Sequence, residues 1–143
     1  MKISLNWLSD YVETEGRTPE ELASRLTMAG LEVEGLERPG AALAGVVVAQ
    51  IVESNKHPDA DKLQCLIVDT GKEQLKVVCG APNARAGMKG VFAPAGSYIP
   101  GSDMTLKKSL IRGQESNGMM CSERELELSD EHKGIIELPA NAV

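Results

Sequence analysis

The chain has 143 residues, 42% hydrophobic and 3% aromatic, with 21 acidic against 15 basic side chains and a net charge of −6. That length suits one domain or two small ones, and the apolar share excludes a disordered chain. Residues 41–52 form the longest nearly apolar run, too short for a bilayer span; no apolar h-region follows Lys2, and three cysteines without CxxC spacing fit reduced thiols in a cytoplasm.

The first segment, residues 1–38, reads as helical with one strand. Ser4 is placed to cap a short helix with Leu5, Leu8 and Val12 on one side. The run TPEELASRLTMAG is a stronger signal. Thr18 caps, Pro19 takes the first helical position, Glu21 closes a capping box, and Leu22, Leu26 and Ala29 form an apolar stripe before Gly30. Alternation from Leu31 to Leu36 predicts a strand with one wet face, and residues 38–45 read as a linker.

From Gly45 the pattern becomes β. Strands are expected at Val46–Ser54, Leu63–Asp69, Leu75–Val78, Gly90–Ala93 and Thr105–Ile111, separated by Gly- and Pro-containing turns. Five short strands with no helix strong enough for a parallel crossover imply a small closed barrel of the oligonucleotide/oligosaccharide-binding (OB) type. Asn117-Gly118 reads as a turn, followed by a short helix capped by Ser122 with Glu125 at its third position. The fold class is therefore α+β: a five-stranded OB-type barrel in residues 39–143, preceded by a small helix-and-strand segment.

Charge separates the same regions. Residues 1–38 carry a net −4, residues 39–113 a net +3, and residues 114–143 a net −5. A weakly basic middle thus sits between two acidic ends; chance in a 25% charged chain is one reading, and a polyanion partner for the middle segment is the other.

His57, Asp59 and Asp61 stand at alternate positions, as metal ligands can. Pro58 and Ala60 favour a turn instead, with an aspartate bonded to loop backbone, and His132 is the only other histidine. No metal site is assigned, and Lys62 is the expected ligand contact of that loop. VCGAPNARAGMKG matches neither GxxxxGK[ST] nor GxGxxG, so a nucleotide-cradling loop is not supported. Within it Asn83, Arg85 and Lys89 are candidates for phosphate or base contact, although Asn83 could equally tie its own loop together. Lys76, Lys107, Lys108 and Arg112 complete the set of candidate contacts. Lys107 and Lys108 are expected on opposite faces of the last strand, where lysines also guard an edge. Met119 and Met120 read as core filler, and Cys121 has no neighbouring His to activate it. No catalytic residue is assigned.

HPDADKLQ, VCGAPNARAGMKG, IRGQESNGMMCSERELEL and KGIIELP together resemble the tRNA-binding OB domain of several tRNA-associated proteins. MKISLNWLSDYV and AGLEVEG narrow the resemblance to the β subunits of bacterial phenylalanyl-tRNA synthetases, over essentially the whole chain. Those subunits are several times longer, so the resemblance implies an N-terminal fragment. It also implies that residues 1–38 open a domain interrupted by the barrel. The family enzyme is an (αβ)₂ heterotetramer, cytoplasmic, joining phenylalanine to its tRNA with ATP and Mg²⁺. Its catalytic sites lie outside the stretch resembled, which implies no cofactor and no catalysis here. The implied partners are tRNA, the α subunit and the rest of β, with no membrane. A free-standing tRNA-binding protein and an assembly module of the synthetase are the alternatives. Thin positive charge and few aromatics point to weak, mainly electrostatic contact with structured RNA.

Overall fold

A computed structural model describes all of residues 1–143 and divides them into two units, Met1–Pro39 and Gly40–Val143.

In the first unit, α1 (Leu5–Leu8) starts at Ser4, whose hydroxyl accepts the Trp7 N–H at 3.1 Å. Trp7 and Tyr11 meet edge-on at 6.5 Å between ring centres. The second helix, α2 (Pro19–Met28), shows the complete capping box. Glu21 N–H donates to the Thr18 hydroxyl at 3.2 Å, and Thr18 N–H donates to the Glu21 carboxylate at 3.1 Å. Gly30, at φ 97°, ends it in the left-handed region that glycine adopts without strain.

The strand expected at Leu31–Leu36 does not form. The alternation is present, but residues 1–39 offer no second strand to pair with, and a strand alone leaves its backbone bonded only to water. Instead Val33 N–H donates to the Thr27 hydroxyl at 3.1 Å. Lys2 pairs with Glu37, and Arg38 with Glu20. No residue of this unit is buried, and Leu22 and Leu26 reach only half-burial.

The second unit opens with a 3₁₀ turn, Ala41–Leu43, inside the stretch expected to be a linker. Five antiparallel strands follow in one sheet: β1 (Val47–Lys56), β2 (Gln64–Asp69), β3 (Gln74–Cys79), β4 (Lys89–Pro94) and β9 (Gly118–Met120), in the order β3-β2-β1-β4-β9. The first four match expectation to within one or two residues. The long β1 serves two partners. Val47–Gln50 pairs with β4, and after a bulge between Ile51 and Glu53 the strand runs on along β2 to Lys56. Such a bulge bends a strand, which is how one sheet curls towards closure.

The fifth strand is not the one expected. Thr105–Ile111 is broken into β6 (Met104–Thr105), an unpaired stretch, and β7 (Ser109–Ile111). β6 forms a hairpin with β5 (Tyr98–Ile99), and β7 one with β8 (Gln114–Ser116). The true fifth strand, β9, pairs Phe92 with Met120 and Pro94 with Gly118. The gap back to β3 is spanned at Ser116 and Asn117. Asn117 N–H and its side-chain amide donate to the Lys76 carbonyl at 2.9 and 3.3 Å, and Val78 N–H donates to the Ser116 hydroxyl at 3.2 Å. The barrel is therefore nearly closed, as the OB reading requires.

Ile51, Leu66, Val68, Val77, Phe92 and Met120 fill the interior. Ile99, Cys121 and Leu126 form a second cluster. The helix expected after Ser122 is a set of turns. Its capping contact exists, with Ser122 N–H donating to Glu125 at 2.5 Å, but Glu127 adopts φ 55° and stops helical continuation. Residues 135–138 run beside β4, where Leu138 N–H donates to the Lys89 carbonyl at 2.9 Å.

Candidate nucleic-acid interface

The β1–β2 loop is built around His57. Its main-chain N–H donates to the Leu63 carbonyl at 3.0 Å, and its ring Nδ1 accepts the Asp59 N–H at 3.0 Å. The expected turn is thus present, but the imidazole, rather than an aspartate, holds the loop backbone. Asp61 instead pairs with Lys56 at 3.0 Å. No group of three His, Cys, Asp or Glu side chains gathers anywhere in a way that could hold a metal ion.

Lys62 is exposed on this loop. With Lys56, Asp61, Leu63 and Gln64 it lines an open groove of about 550 Å³, whose other wall is Gly80–Pro82. Arg112 belongs to the same end of the barrel. It sits with Gly113 at the tip of the β7–β8 hairpin, both at positive φ (49° and 82°), as a two-residue primed turn needs. Its guanidinium donates to the Asp59 carbonyl at 3.4 Å.

The other candidates are scattered. Lys76 lies in a smaller groove of about 140 Å³ with Glu53, Asn55, Gln114 and Glu115, so acidic groups offset its charge. Lys107 and Lys108 are exposed, but in the unpaired stretch between β6 and β7, not on two faces of a strand. Asn83, Arg85 and Lys89 all turn towards the C-terminal segment. Asn83 donates to the Ile135 carbonyl at 2.8 Å and accepts the Ile135 N–H at 3.0 Å, so both ends of its amide are engaged. These bonds join the loop to a segment 52 positions away rather than tying it within itself. Arg85 pairs with Glu137, a bond that raises the pKa of the guanidinium. Lys89 donates to the Ala142 carbonyl at 2.8 Å.

The ion pairs of the second unit are Lys56–Asp61 and Arg85–Glu137. Lys62, Lys107, Lys108 and Arg112 are exposed and outside them. Lys56 lines the larger groove and was missed in the sequence because it reads as the polar end of a strand. Aromatic platforms for stacked bases are scarce. Phe92 is wholly buried, and Tyr98 is exposed but donates its hydroxyl to Asp103 at 2.6 Å.

Cys79 and Cys121 are poorly placed to act as nucleophiles, because both are buried. Burial pushes Cys121 up to about 12, with Glu125 adding to the effect, and burial likewise raises Cys79. Cys65 alone is partly exposed. A thiol reagent should therefore label Cys65 in the folded chain and reach Cys79 and Cys121 only after denaturation. Raised folded pKa values also mean that this contribution to stability is full below about pH 9 and falls as pH rises, because the unfolded thiols ionise first. Rapid labelling of all three thiols under native conditions would contradict the burial.

Residues 46–143 match the family described as "Putative tRNA binding domain". Over 143 residues the chain is 54% identical to the phenylalanine–tRNA ligase beta subunit of Ruegeria pomeroyi, covering 100% of this chain and 18% of that protein. The same subunit of Mesorhizobium japonicum is 56% identical over 144 aligned positions, covering 99% of this chain and 18% of that protein. Among solved structures, the MetRS related protein from Pyrococcus horikoshii aligns over 68% of this chain and 82% of its own, at 25% identity and a TM-score of 0.49. No helix here is long and apolar enough to cross a membrane. Through residues 46–143, which carry the barrel, its two hairpins and the C-terminal segment beside β4, the chain belongs to the tRNA binding domain family.

Proposed function

We propose that these residues act as the tRNA-binding module of a phenylalanine–tRNA ligase β subunit. The observation that carries this is the 54% identity over all 143 residues, which includes the first unit outside the tRNA-binding match. In this reading the module supports ATP- and Mg²⁺-dependent attachment of phenylalanine to its tRNA in the cytoplasm. Catalysis belongs to other parts of an (αβ)₂ assembly, with the α subunit and the rest of β as protein partners. The unburied first unit suits this, as the opening part of a domain completed by later residues of β.

Lys62, Arg112, Lys107 and Lys108 are the proposed phosphate contacts, being exposed and free of ion pairs. Lys76, Asn83, Arg85 and Lys89 are secondary, each offset by acidic neighbours or engaged elsewhere. Four phosphates neutralised on a duplex give a log–log salt slope of about −3.6, a loss of about 150-fold in affinity between 50 and 200 mM salt. Titrating labelled phenylalanine tRNA with the chain across that range tests the proposal. Alanine at Lys62 or Arg112 should flatten the slope by about one unit each. An affinity indifferent to salt, or no binding at all, defeats the reading. The chain alone should support neither phenylalanine-dependent pyrophosphate exchange nor hydrolysis of mischarged tRNA.

A further inference from the structure

His57 is 2% exposed, an unusual place for an imidazole at the start of a surface loop. Its Nδ1 accepts the Asp59 N–H, so the ring proton is on Nε2, which donates to the Ile111 carbonyl at 3.0 Å. One ring thereby joins the β1–β2 loop to the end of β7, 54 residues away. Arg112, the next residue, returns a second bond to the same loop at the Asp59 carbonyl. Lys62 lies on the loop that this double tether holds, and Arg112 lies at the tip of the tethered hairpin. Neither is in an ion pair, and both are exposed.

We propose that His57 is a positioning residue for nucleic-acid binding: it clamps the β1–β2 loop to the β7–β8 hairpin so that Lys62 and Arg112 meet the phosphate backbone as one preset pair. This rests on the tRNA-binding reading above. A loop and a hairpin tip that moved independently would have to be ordered on binding, and that ordering weakens affinity. The buried ring removes the need without occupying the contact surface. It touches no RNA itself.

The two ring nitrogens can be tested separately. In His57→Asn the shorter side chain keeps an acceptor for the Asp59 N–H, as in an Asx turn, but does not reach Ile111. In His57→Gln a longer amide can still donate to the Ile111 carbonyl. Two readouts on the 143-residue chain are needed. The first is RNA-free: long-range proton–nitrogen NMR of the imidazole, and amide exchange at Asp59 and Gln114. The expected wild-type tautomer carries its proton on Nε2, and His57→Asn should speed exchange at Gln114, which pairs with Ile111 across the hairpin tip, while the β2 and β4 amides stay protected. The second is the affinity for phenylalanine tRNA. His57→Asn should bind about fivefold more weakly, the equivalent of one net hydrogen bond, with His57→Gln partly restored.

Should both buried variants unfold, Arg112→Gln removes the second tether from an exposed position. It should then speed exchange at Asp59 without lowering the urea midpoint. A proton on Nδ1, or unchanged exchange at the hairpin tip in a folded His57→Asn, overturns the clamp. A folded His57→Asn with wild-type affinity overturns the positioning role. If wild-type chain binds no tRNA, the functional reading falls and the positioning role falls with it, while the exchange data still decide separately whether the clamp exists.

Discussion

Phe92→Ala should lower the stability of the barrel by about 3–5 kcal/mol, the usual cost of emptying a buried aromatic site. Phe92 is wholly buried and lies where β4 meets both β1 and β9, opposite Val47 and Met120. It is one of only four aromatic residues in the chain and the only one in the core, so no second ring fills the space. Domains of this size have a total stability of about 5–15 kcal/mol, so the loss is a large share of the whole. Each kcal/mol moves the midpoint by about 4–8 °C at this length, which makes the expected fall at least about 12 °C. Gly118→Ala approaches the same ring from the other strand. An added Cβ would stand 2.4 Å from the Ala93 carbonyl oxygen and 2.5 Å from the Phe92 ring. The carbonyl belongs to the β4–β9 ladder and moves only if the pairing moves. Gly35→Ala, which meets nothing within 4 Å, serves as the control and should leave the midpoint near the wild type. A Phe92→Ala midpoint within a few degrees of wild type would mean that the barrel is held chiefly by its ladders and not by this core.

Gly118 also shows why the fifth strand was hidden in the sequence. Asn-Gly reads as a turn because glycine usually marks one. Here it is glycine because the Phe92 ring occupies the space of a side chain, a reason visible only once β4 and β9 are paired. The first four strands were legible because each is an apolar run between turn residues, a purely local signal. Leu31–Leu36 failed in the opposite sense: local alternation is present and the partner is not. Ser122 and Glu125 form their capping contact without a helix, because the backbone at Glu127 leaves the helical region. Local rules therefore identified the intent of a segment, and pairing decided its state. The site followed the same division. Residue type singled out Lys62 and Arg112, but the placement of Arg112 beside the β1–β2 loop depends on contacts spanning more than fifty positions. Asn83 read either as a contact or as a tie within its own loop, and its bonds to Ile135, 52 positions away, could not be read from the sequence for the same reason.

Amide exchange should separate the two units more sharply than any substitution. In the barrel, amides of β1, β2 and β4 lie in paired ladders over an apolar interior, so they should exchange only through global unfolding. Residues 1–39 include no buried side chain. The helix α2 has an excellent cap, worth about 1 kcal/mol, but ten residues are too few for a helix to hold itself in water without packing. Its amides should open at a free energy near zero, against about 5 kcal/mol or more for the barrel, a difference of at least about a thousandfold in exchange rate. Leu22 and Leu26 are half-buried, and Trp7, Met28 and Leu31 are exposed, so the apolar material for a core is present but not enclosed. If this unit opens a domain completed by later residues of β, the same amides should become protected in the full-length subunit while the barrel's barely change. Protection of Pro19–Leu36 equal to that of β2, in a monomeric 143-residue chain, would show instead that the first unit is stable by itself, and the interrupted-domain proposal would lose its physical basis.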